Sequence, residues 1–288
     1  MKILVTGANG MLGGDLTVVA RGLGHEVVAV SRNDLDLTDQ SAVEALVREE
    51  EPTTVINCAA WTDVDGAEAH EEEATEINAS GAGHIAAAAA AIGASVCQIS
   101  TDYVFDGTKE TPYVESDPTS PIQAYGRSKL AGEEAVRSAN PDHFIVRTSW
   151  LFGIANERPN FVETMLELGS TGEPVTVVHD QIGSPTYTGH LAEGLTQLIN
   201  SDSYGIHHMS GSGQCSWYGF AEEIFKQAQV EVDLIPTDTA AFPRPAARPA
   251  NSVLVSEWET PIMLPRWQTG LTEYLQRRRA ADAGEVTA

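Results

Sequence analysis

The sequence predicts an α/β fold of the Rossmann type, in which a doubly wound parallel sheet carries a smaller C-terminal lobe. Two observations predict this fold. Short apolar segments alternate with helical segments through the first half of the chain, and the first apolar segment, residues 2–6, leads directly into a glycine-rich turn at residues 7–13. Regular alternation of strands and helices is typical of a parallel sheet, because each crossover helix returns the chain to the edge where the next strand begins.

The predicted elements fall into two groups. In the first half, strands are predicted at residues 2–6, 27–31, 54–58, 95–100 and 144–148, and helices near residues 11–21, 39–50, 71–92 and 122–139. In the second half the order is helix near 160–169, strand near 175–178, helix near 189–200, strand near 205–209 and helix near 217–228, with a frayed tail after Arg279. We therefore expect residues 1–149 to form a dinucleotide-binding domain, with segments near 188–210 returning to it, and residues 150–288 to form mostly a substrate-binding lobe.

Composition and charge exclude several classes of protein. The chain has 288 residues, of which 42% are hydrophobic, so it is long enough to bury a core. Its formal net charge of −24 disfavours nucleic acid and anionic membranes as partners. The longest run of small apolar residues, 85–92, is too short to cross a bilayer, and the N-terminus lacks the layout of a signal peptide, so we expect a cytoplasmic protein.

The acidic residues and the cysteines set two further expectations. Only four of the 17 basic residues are lysine, and acids occur in runs such as residues 49–51 and 71–73. This pattern is typical of a solvated acidic surface, and our hypothesis is adaptation to a high-salt cytoplasm. The cysteines at 58, 97 and 215 have neither paired spacing nor neighbouring histidine clusters, so neither a disulfide nor a zinc site is expected.

The glycine-rich turn predicts a site for a dinucleotide. Gly7 permits a tight turn after the first strand, Gly10 lets backbone amides approach a pyrophosphate, and Gly13 allows close packing of the helix on the strand. The positive end of the helix dipole adds attraction for the phosphates. The residues of the turn predicted to contact the cofactor are Gly7, Asn9, Gly10, Met11, Leu12 and Gly13.

The ends of the second and third strands predict the rest of the cofactor site. Ser31 and Arg32 follow the second strand, where an arginine is able to pair with a ribose 2′-phosphate, so NADPH is weakly favoured over NADH; a merely solvated surface arginine is about equally plausible. Further along, Asp36 is placed to hold the adenine amino group and Leu37 to flank the ring, although helix capping by Thr38 or Asp39 accounts for part of this segment without a ligand. At the end of the third strand, the small residues before Trp61 leave room for phosphates and ribose, and the predicted contacts there are Ala59, Ala60 and Trp61.

A tyrosine and a lysine four residues apart predict the chemistry. Tyr125 and Lys129 share one helical face, and Thr101 closes the fourth strand 24 residues before Tyr125. A phenol with a pKa of about 10 is a poor proton donor near neutral pH, so we expect Lys129 to lower the Tyr125 pKa by its charge and also to bond the nicotinamide ribose. Thr101 is then expected to donate a hydrogen bond to a substrate carbonyl. Without the glycine turn, the same pair would be read as an exposed helix face.

With these motifs in place, the chain resembles the extended short-chain dehydrogenase/reductase family, and within it the dTDP-4-dehydrorhamnose reductases. The resemblance covers nearly the whole length and rests on segments 7–13, 64–68, 100–107, 125–129, 147–150, 180–186 and 248–252. The segments at 102–107 and 180–186 are the most specific to this branch and separate it from generic epimerases.

The resemblance implies reduction of the 4-keto group of dTDP-6-deoxy-L-lyxo-4-hexulose by NAD(P)H, giving dTDP-L-rhamnose. It implies that Thr101, Tyr125 and Lys129 form the catalytic set. The residues implied to bind the sugar nucleotide are Thr101, Asp102, Tyr103, Trp150, Arg248 and Asn251, although the sequence leaves open whether Arg248 and Asn251 contact the ligand or cap a helix. The segment containing Arg244 and Arg248 is also a source of positive charge for an anionic diphosphate.

Two other functions stay open at this stage: a nucleotide-sugar 4-epimerase or dehydratase of the same superfamily, and a catalytically silent NADP-binding regulatory subunit. Some relatives dimerise around magnesium through acidic residues, one of them early in the first helix, where this chain has Asp15. The other ligands cannot be matched, so no essential metal is expected and a homodimer remains open. Gly66 departs from relatives that often carry a longer residue there, and this difference is expected to alter the preferred sugar or nucleotide.

Overall fold

The computed structural model describes residues 1–154 and 159–282. In chain order its elements are β1 (Lys2–Thr6), α1 (Met11–Gly22), β2 (Glu26–Val30), α2 (Gln40–Glu50), β3 (Thr54–Asn57), α3 (Val64–Ala67), α4 (Glu71–Thr75), a π-helical segment (Glu76–Gly81), α5 (Ala82–Ala91), β4 (Ser95–Thr101), a 3₁₀ turn (Asp102–Val104), α6 (Ala124–Ala139), β5 (His143–Thr148), β6 (Leu151–Phe152), α7 (Phe161–Gly169), β7 (Val175–Val178), β8 (Ile182–Gly183), β9 (Thr186–Tyr187), α8 (Thr188–Leu198), β10 (Gly205–His208), β11 (Cys215–Ser216), α9 (Trp217–Ala228), β12 (Leu234–Thr237), a second 3₁₀ turn (Thr239–Ala241) and α10 (Trp267–Asp282).

The predicted parallel, doubly wound sheet is confirmed. Six strands lie in the order β10–β5–β4–β3–β1–β2, and every neighbouring pair is parallel. The chain moves from β1 outward to β2 and then returns to place β3 on the other side of β1. Such a reversal opens a crevice at the carboxyl ends of β1 and β3, which is where ligands bind in sheets of this kind.

Helices cover both faces of the sheet because its central strands are apolar on both sides. On one face, α1 and α8 pack over residues such as Ile3, Val5 and Phe144, and on the other face α2 and α5 pack over Leu4 and Val55. Strand β10 extends the sheet beyond β5, so a segment from the second half of the chain belongs to the main sheet.

A third apolar cluster forms away from the main sheet. It joins β6, α7, β7, β9, α9 and α10, and its most deeply buried members include Phe152, Phe220, Leu271 and Tyr274. The final helix was not predicted, because most of its surface is polar and only the positions at 267, 271, 274 and 275 form an apolar stripe. This helix continues past Arg279 to Asp282, where a frayed tail was expected, and residues 283–288 lie outside the described residues.

The helix predicted over residues 71–92 is the other main difference. It forms as α4, a π-helical segment and α5, and the π-helical turn carries Asn78 inward. The Asn78 side chain holds the backbone of Trp61 through two hydrogen bonds and also donates to the Ser128 hydroxyl. Single π-helical turns of this kind are common near functional sites. Across the described ranges, the helices are too short or too polar to span a bilayer.

Candidate active site

The glycine turn is built by close backbone contacts. Gly7 has a φ of +66°, and a Cβ atom there would lie 2.7 Å from the Ala59 nitrogen. A Cβ atom at Gly13 would lie 2.2 Å from the Gly7 carbonyl oxygen. Both positions therefore require glycine, because the turn after β1 is pressed against the chain that leaves β3.

The same turn leaves helix α1 without a side-chain cap. Gly10 is the N-cap residue, and a glycine has no side chain with which to accept from the first-turn amides of α1. An uncapped helix start behind a glycine cradle fits an anionic pyrophosphate, and the residues present therefore fit a dinucleotide. Within the turn, Asn9 and Gly10 are exposed and Met11 is half-buried, whereas the Leu12 side chain is buried in the core, which limits any cofactor contact of Leu12 to its backbone.

The residues after β2 separate into exposed and structural positions. Arg32 is exposed and makes no ion pair within the described part of the chain, while the Ser31 hydroxyl and amide both donate to Asp34. Asp36 is exposed and accepts from the amide and hydroxyl of Thr38.

Two other residues of this segment serve the fold. Leu37 is only 8% exposed and packs in the apolar core beside Gly81, so only a small part of its side chain is available to flank a ring. Asp39 caps α2 by accepting from the Ala42 amide, as the capping alternative predicted.

Polar contacts fix the backbone of the chain that follows β3. Ala59, Ala60 and Trp61 are all half-buried at the carboxyl end of the strand. The Ala59 amide donates to the Asn57 side chain, and the Trp61 indole donates to the Asp63 carbonyl. These bonds fix the backbone beside the glycine turn without filling the crevice with large side chains.

Helix α6 begins where three segments converge, and this convergence positions Tyr125. Gln123 caps the helix by accepting from the Gly126 amide at 2.6 Å, and Glu68 accepts from the Ala124 amide at 2.8 Å. A Cβ atom at Gly126 would lie 2.1 Å from the Tyr103 carbonyl oxygen, so the helix start is packed directly on the turn after β4. The 64–68 segment therefore has a physical purpose here, since its glutamate orients the helix that carries Tyr125.

Thr101, Tyr125 and Lys129 are brought together at the carboxyl end of β4. The Thr101 hydroxyl lies beside the Tyr125 phenol and only partly opposes the rise in the Tyr125 pKa that burial causes. The Lys129 ammonium is only 4% exposed and donates to the Ile99 carbonyl at 2.7 Å. Burial lowers the Lys129 pKa to about 8, while the charge of Glu133 acts in the opposite direction.

The expected lowering of the Tyr125 pKa by Lys129 is not found. Burial raises the Tyr125 pKa, the negative charge of Asp102 raises it further, and the neighbouring Thr101 hydroxyl only partly opposes them. The reason is geometric, because the Lys129 ammonium is held by the Ile99 carbonyl rather than by the phenol. In this structure the acidity of the phenol is set first by its burial and then by Asp102 and Thr101.

Behind Lys129 lies a buried ion pair that sequence reasoning missed. The Arg147 guanidinium forms two hydrogen bonds with Glu133, at 2.9 and 2.7 Å, and the Ser100 hydroxyl donates to the same carboxylate at 2.5 Å. Both charged side chains are about 3% exposed. Glu133 is four residues after Lys129 on α6, so the spacing could have suggested a shared face, but nothing local pointed to Arg147 as its partner.

The turn after β4 places Asp102 and Tyr103 beside the catalytic set. Asp102 is 2% exposed and accepts a hydrogen bond from the Thr101 hydroxyl at 3.0 Å. The Tyr103 ring meets the Tyr125 ring edge to face, with centroids 6.1 Å apart. Both residues implied by the resemblance at this turn are therefore next to Tyr125.

Arg248 reaches the same region, held by a residue not predicted for the site. Its guanidinium donates to Asp65 at 3.0 Å and to the Ala246 carbonyl at 2.8 Å. Burial raises the pKa of Tyr103, and the charge of Arg248 only partly opposes this rise. Arg244 lies 3.7 Å from the other oxygen of Asp65. Through these contacts Asp65 joins α3 to the 244–251 segment and keeps the two guanidinium groups at the rim of the site.

Asn251 is not brought to the catalytic set. Its amide nitrogen donates to the carbonyls of Lys109 and Thr111, and its oxygen accepts from the Val253 amide. These bonds let Asn251 hold the 107–111 loop against the 250–253 segment, and its binding of substrate stays a prediction.

Trp150 occupies an unusual backbone position and has an aromatic partner that was not predicted. It has a φ of +48°, which is uncommon for a bulky residue, and its ring stacks on Trp217 with centroids 3.6 Å apart. Gly183 lies against the Trp150 ring, since a Cβ atom there would be 2.3 Å from a ring carbon. Trp217 starts α9, so its contact with Trp150 depends on the packing of distant segments. No local sequence pattern predicts this contact.

Asp15 and Gly66 both meet side chains within the fold. The Asp15 carboxylate accepts from Arg277 and from the Thr188 hydroxyl, so both of its oxygens are engaged by neighbouring elements. Across the described ranges, no group of three metal-ligating side chains is assembled. A Cβ atom at Gly66 would lie 2.8 Å from the Asp63 carboxylate that caps α3, so a longer residue there requires Asp63 to move.

Known proteins resemble this chain over nearly its full length. The family model described as RmlD substrate binding domain matches residues 1–280. A dTDP-4-keto-6-deoxy-D-glucose reductase of Streptomyces niveus is 43% identical over 277 residues, covering 94% of this chain and 95% of the relative. The crystal structure of a dTDP-4-dehydrorhamnose reductase of Clostridium acetobutylicum has a TM-score of 0.93 at 45% identity, with 97% and 100% of the two chains covered. That of a dTDP-4-dehydrorhamnose reductase of Bacillus anthracis, in complex with NADP, has a TM-score of 0.92 at 40% identity, with 96% and 99% covered.

Proposed function

The chain belongs to the family described as RmlD substrate binding domain, and we propose that it is an NAD(P)H-dependent reductase of the 4-keto group of dTDP-4-dehydro-L-rhamnose, giving dTDP-L-rhamnose. The observation that carries this function is the meeting of Thr101, Tyr125 and Lys129 at the carboxyl end of β4. The glycine cradle lies at the same edge of the sheet, after β1. A proton donor and a dinucleotide site at one edge are what the reduction of a ketone requires.

Each side chain of the catalytic set has a separate task in this reaction. When bound, the reduced nicotinamide supplies the hydride that adds to the carbonyl carbon. The Tyr125 phenol gives its proton to the carbonyl oxygen as negative charge develops there, and the Thr101 hydroxyl donates a hydrogen bond to the same oxygen. Lys129 remains cationic below its pKa of about 8, and its ammonium would bond the nicotinamide ribose when the dinucleotide is bound.

The remaining residues orient the sugar nucleotide. The Trp150 ring, fixed by its stack on Trp217, offers an apolar surface suited to the face of a deoxysugar. Arg248 and Arg244 place positive charge at the rim of a very acidic molecule, where a nucleotide diphosphate would be attracted. Asp65 holds both guanidinium groups, so the cations stay in place before the ligand arrives.

NADPH is the cofactor we favour. Exposed Arg32 follows β2 without an ion pair among the described residues, and its charge is available for a ribose 2′-phosphate. The Bacillus anthracis relative was solved with NADP, which supports the same cofactor. Comparing the Michaelis constants of NADPH and NADH for the wild type and for Arg32→Ser tests this preference, and an unchanged ratio in the variant would assign the discrimination elsewhere.

One alternative for the substrate has specific support. The Streptomyces niveus relative is a reductase of dTDP-4-keto-6-deoxy-D-glucose, a sugar that differs from the L-lyxo compound in configuration. Our proposal keeps the L-lyxo sugar as the main substrate and the D-sugar as the second candidate.

The direct test is oxidation of NADPH in the presence of each 4-keto sugar nucleotide. We expect the nicotinamide absorbance to fall only when protein and keto sugar are both present, fastest with the L-lyxo compound. A silent regulatory subunit would leave the absorbance unchanged. A 4-epimerase or dehydratase would instead turn over with tightly bound NAD and without added NADPH.

A further inference from the structure

Asp102 is a buried carboxyl group with an incomplete set of partners. Its side chain is 2% exposed at the start of the 3₁₀ turn that follows β4. One oxygen, Oδ1, contacts the Thr101 hydroxyl at 3.0 Å, while Oδ2 has no well-formed hydrogen bond within the described part of the chain. Burying an ionised carboxylate with an unsatisfied oxygen is costly, whereas a neutral carboxylic acid pays far less for the same position.

The hydrogen bonds of Thr101 create a conflict that Asp102 can resolve. A hydroxyl carries one hydrogen, and the Thr101 oxygen already accepts from the Tyr103 amide at 3.2 Å. When Asp102 is ionised it can only accept, so the single Thr101 hydrogen is committed to Asp102 Oδ1. That hydrogen is then absent from the substrate oxygen that Thr101 is meant to polarise.

We propose that Asp102 works as a neutral carboxylic acid, donating a hydrogen bond to the Thr101 oxygen so that the Thr101 hydrogen is directed to the substrate carbonyl. This rests on the proposed function and makes Asp102 a positioning residue that acts through Thr101. Asp102 keeps its hydrogen throughout the cycle, because the proton added to the carbonyl oxygen leaves Tyr125. The phenolate of Tyr125 afterwards regains a proton from water.

The surroundings of Asp102 favour the neutral form near neutral pH. Burial raises the Asp102 pKa to about 7, and the nearby Ser252 and Thr101 hydroxyls only partly oppose it. The ionisable groups that face this region are Tyr103 on the same turn, Tyr125 on α6, Asp65 on α3 and Arg248 on the C-terminal segment. Burial raises the pKa of both tyrosines, so neither titrates near pH 7, and Asp65 is held by the Arg248 guanidinium at 3.0 Å.

Protonation of Asp102 has a second benefit for the same reaction. The negative charge of ionised Asp102 raises the Tyr125 pKa and makes the phenol a weaker acid. Neutralising Asp102 removes this effect at the moment when Tyr125 must release its proton. Both consequences predict that turnover falls as the pH rises through about 7.

The test is the pH profile of kcat for wild type, Asp102→Asn and Asp102→Ala, with NADPH and the 4-keto sugar nucleotide saturating. The asparagine amide is a permanent donor, so Asp102→Asn should lose the decline near pH 7 and keep only the later decline from Lys129 near pH 8. Asp102→Ala removes the donor and should turn over about 10- to 100-fold more slowly than Asp102→Asn. Asp106→Asn, whose carboxylate binds Thr108 and Tyr113 instead, is the matched control and should keep the decline near pH 7.

A thermal melt separates this role from a purely structural one. A carboxyl whose folded-state pKa is raised contributes stability that is present at low pH and is lost as the pH rises through about 7. The Asp102→Asn variant should therefore melt no lower than wild type above that pH. Retention of the pH 7 decline by folded Asp102→Asn, or equal losses in the asparagine and alanine variants, would overturn the role of Asp102. A wild-type protein that oxidises no NADPH with either keto sugar would instead overturn the proposed function.

Discussion

The glycine turn after β1 and the catalytic cluster after β4 lie at the same edge of the sheet but are specified in different ways. At the turn, the backbone itself leaves no room, since Cβ atoms at Gly7 and Gly13 would overlap the chain within 3 Å. At the cluster, the contacts are side-chain hydrogen bonds among Thr101, Asp102 and Tyr125, whose directions depend on where protons sit. One region is set by sterics and the other by protonation.

Because of this difference, substitutions in the two regions should cause different losses. A steric region responds to added atoms with loss of stability and of ligand affinity. A protonation-dependent region can lose activity while the fold and cofactor binding persist. The following substitutions separate these responses.

The largest effect is expected at Tyr125. Tyr125→Phe removes the proton donor but keeps the ring packed near Tyr103, so kcat should fall by about 10²- to 10⁴-fold. Cofactor affinity, measured by fluorescence titration with NADPH, should stay close to wild type. Near-normal turnover would remove Tyr125 from the mechanism and with it the distinction between the two regions.

A large effect on stability is expected at the buried ion pair of Glu133 with Arg147, which lies behind the catalytic cluster. Glu133→Gln leaves the Arg147 charge buried with one strong partner gone, and removing one member of such a pair costs about 3–5 kcal/mol. Chemical denaturation of the variant measures this loss. The exposed pair of Arg127 with Glu71 is the matched control, and Glu71→Gln should cost no more than about 1 kcal/mol. Equal losses in the two variants would mean that the buried pair is not an anchor.

Gly13→Ala tests the steric region. The added methyl would lie 2.2 Å from the Gly7 carbonyl, so the turn must shift, and we expect a loss of about 1–3 kcal/mol in stability together with weaker NADPH binding. Gly22→Ala, in the same helix, meets no atom within 4 Å and should be neutral or slightly stabilising. If Gly13→Ala bound NADPH as tightly as Gly22→Ala, the cradle would not be set by sterics.

The smallest effect is expected from the surface, which belongs to neither region. With a net charge of −24, repulsion among carboxylates should weaken the fold in dilute buffer, and salt screens such repulsion. We therefore expect the melting temperature to rise between about 0.1 M and 1 M potassium chloride, where the Debye length falls from about 10 Å to 3 Å. Replacing exposed Glu49 and Glu72 by glutamine should reduce that rise. A melting temperature that does not increase with salt would remove the high-salt hypothesis.

The sequence alone predicted the glycine turn after β1 more completely than the catalytic cluster after β4. The need for glycine at 7 and 13 follows from a local strand, turn and helix pattern, and the placement of Tyr125 and Lys129 on one helical face follows from their spacing. The partners of Arg147, Arg248 and Trp150 could not be predicted, because each comes from a segment distant in the chain. For the same reason the sequence could not show that Asn251 holds a loop, or that Lys129 bonds a strand carbonyl rather than the phenol.

Hydride transfer from NADPH to the sugar is tested most directly by following a labelled hydrogen. NADPH carrying deuterium at both C4 positions is incubated with the protein and dTDP-4-dehydro-L-rhamnose, and the product is examined by mass spectrometry and NMR. We predict a product with one deuterium, bonded to C4 of the sugar, and no such product from Tyr125→Phe in the time of one wild-type turnover. Deuterium that stays in the cofactor, or a sugar product without it, would contradict hydride transfer at this site.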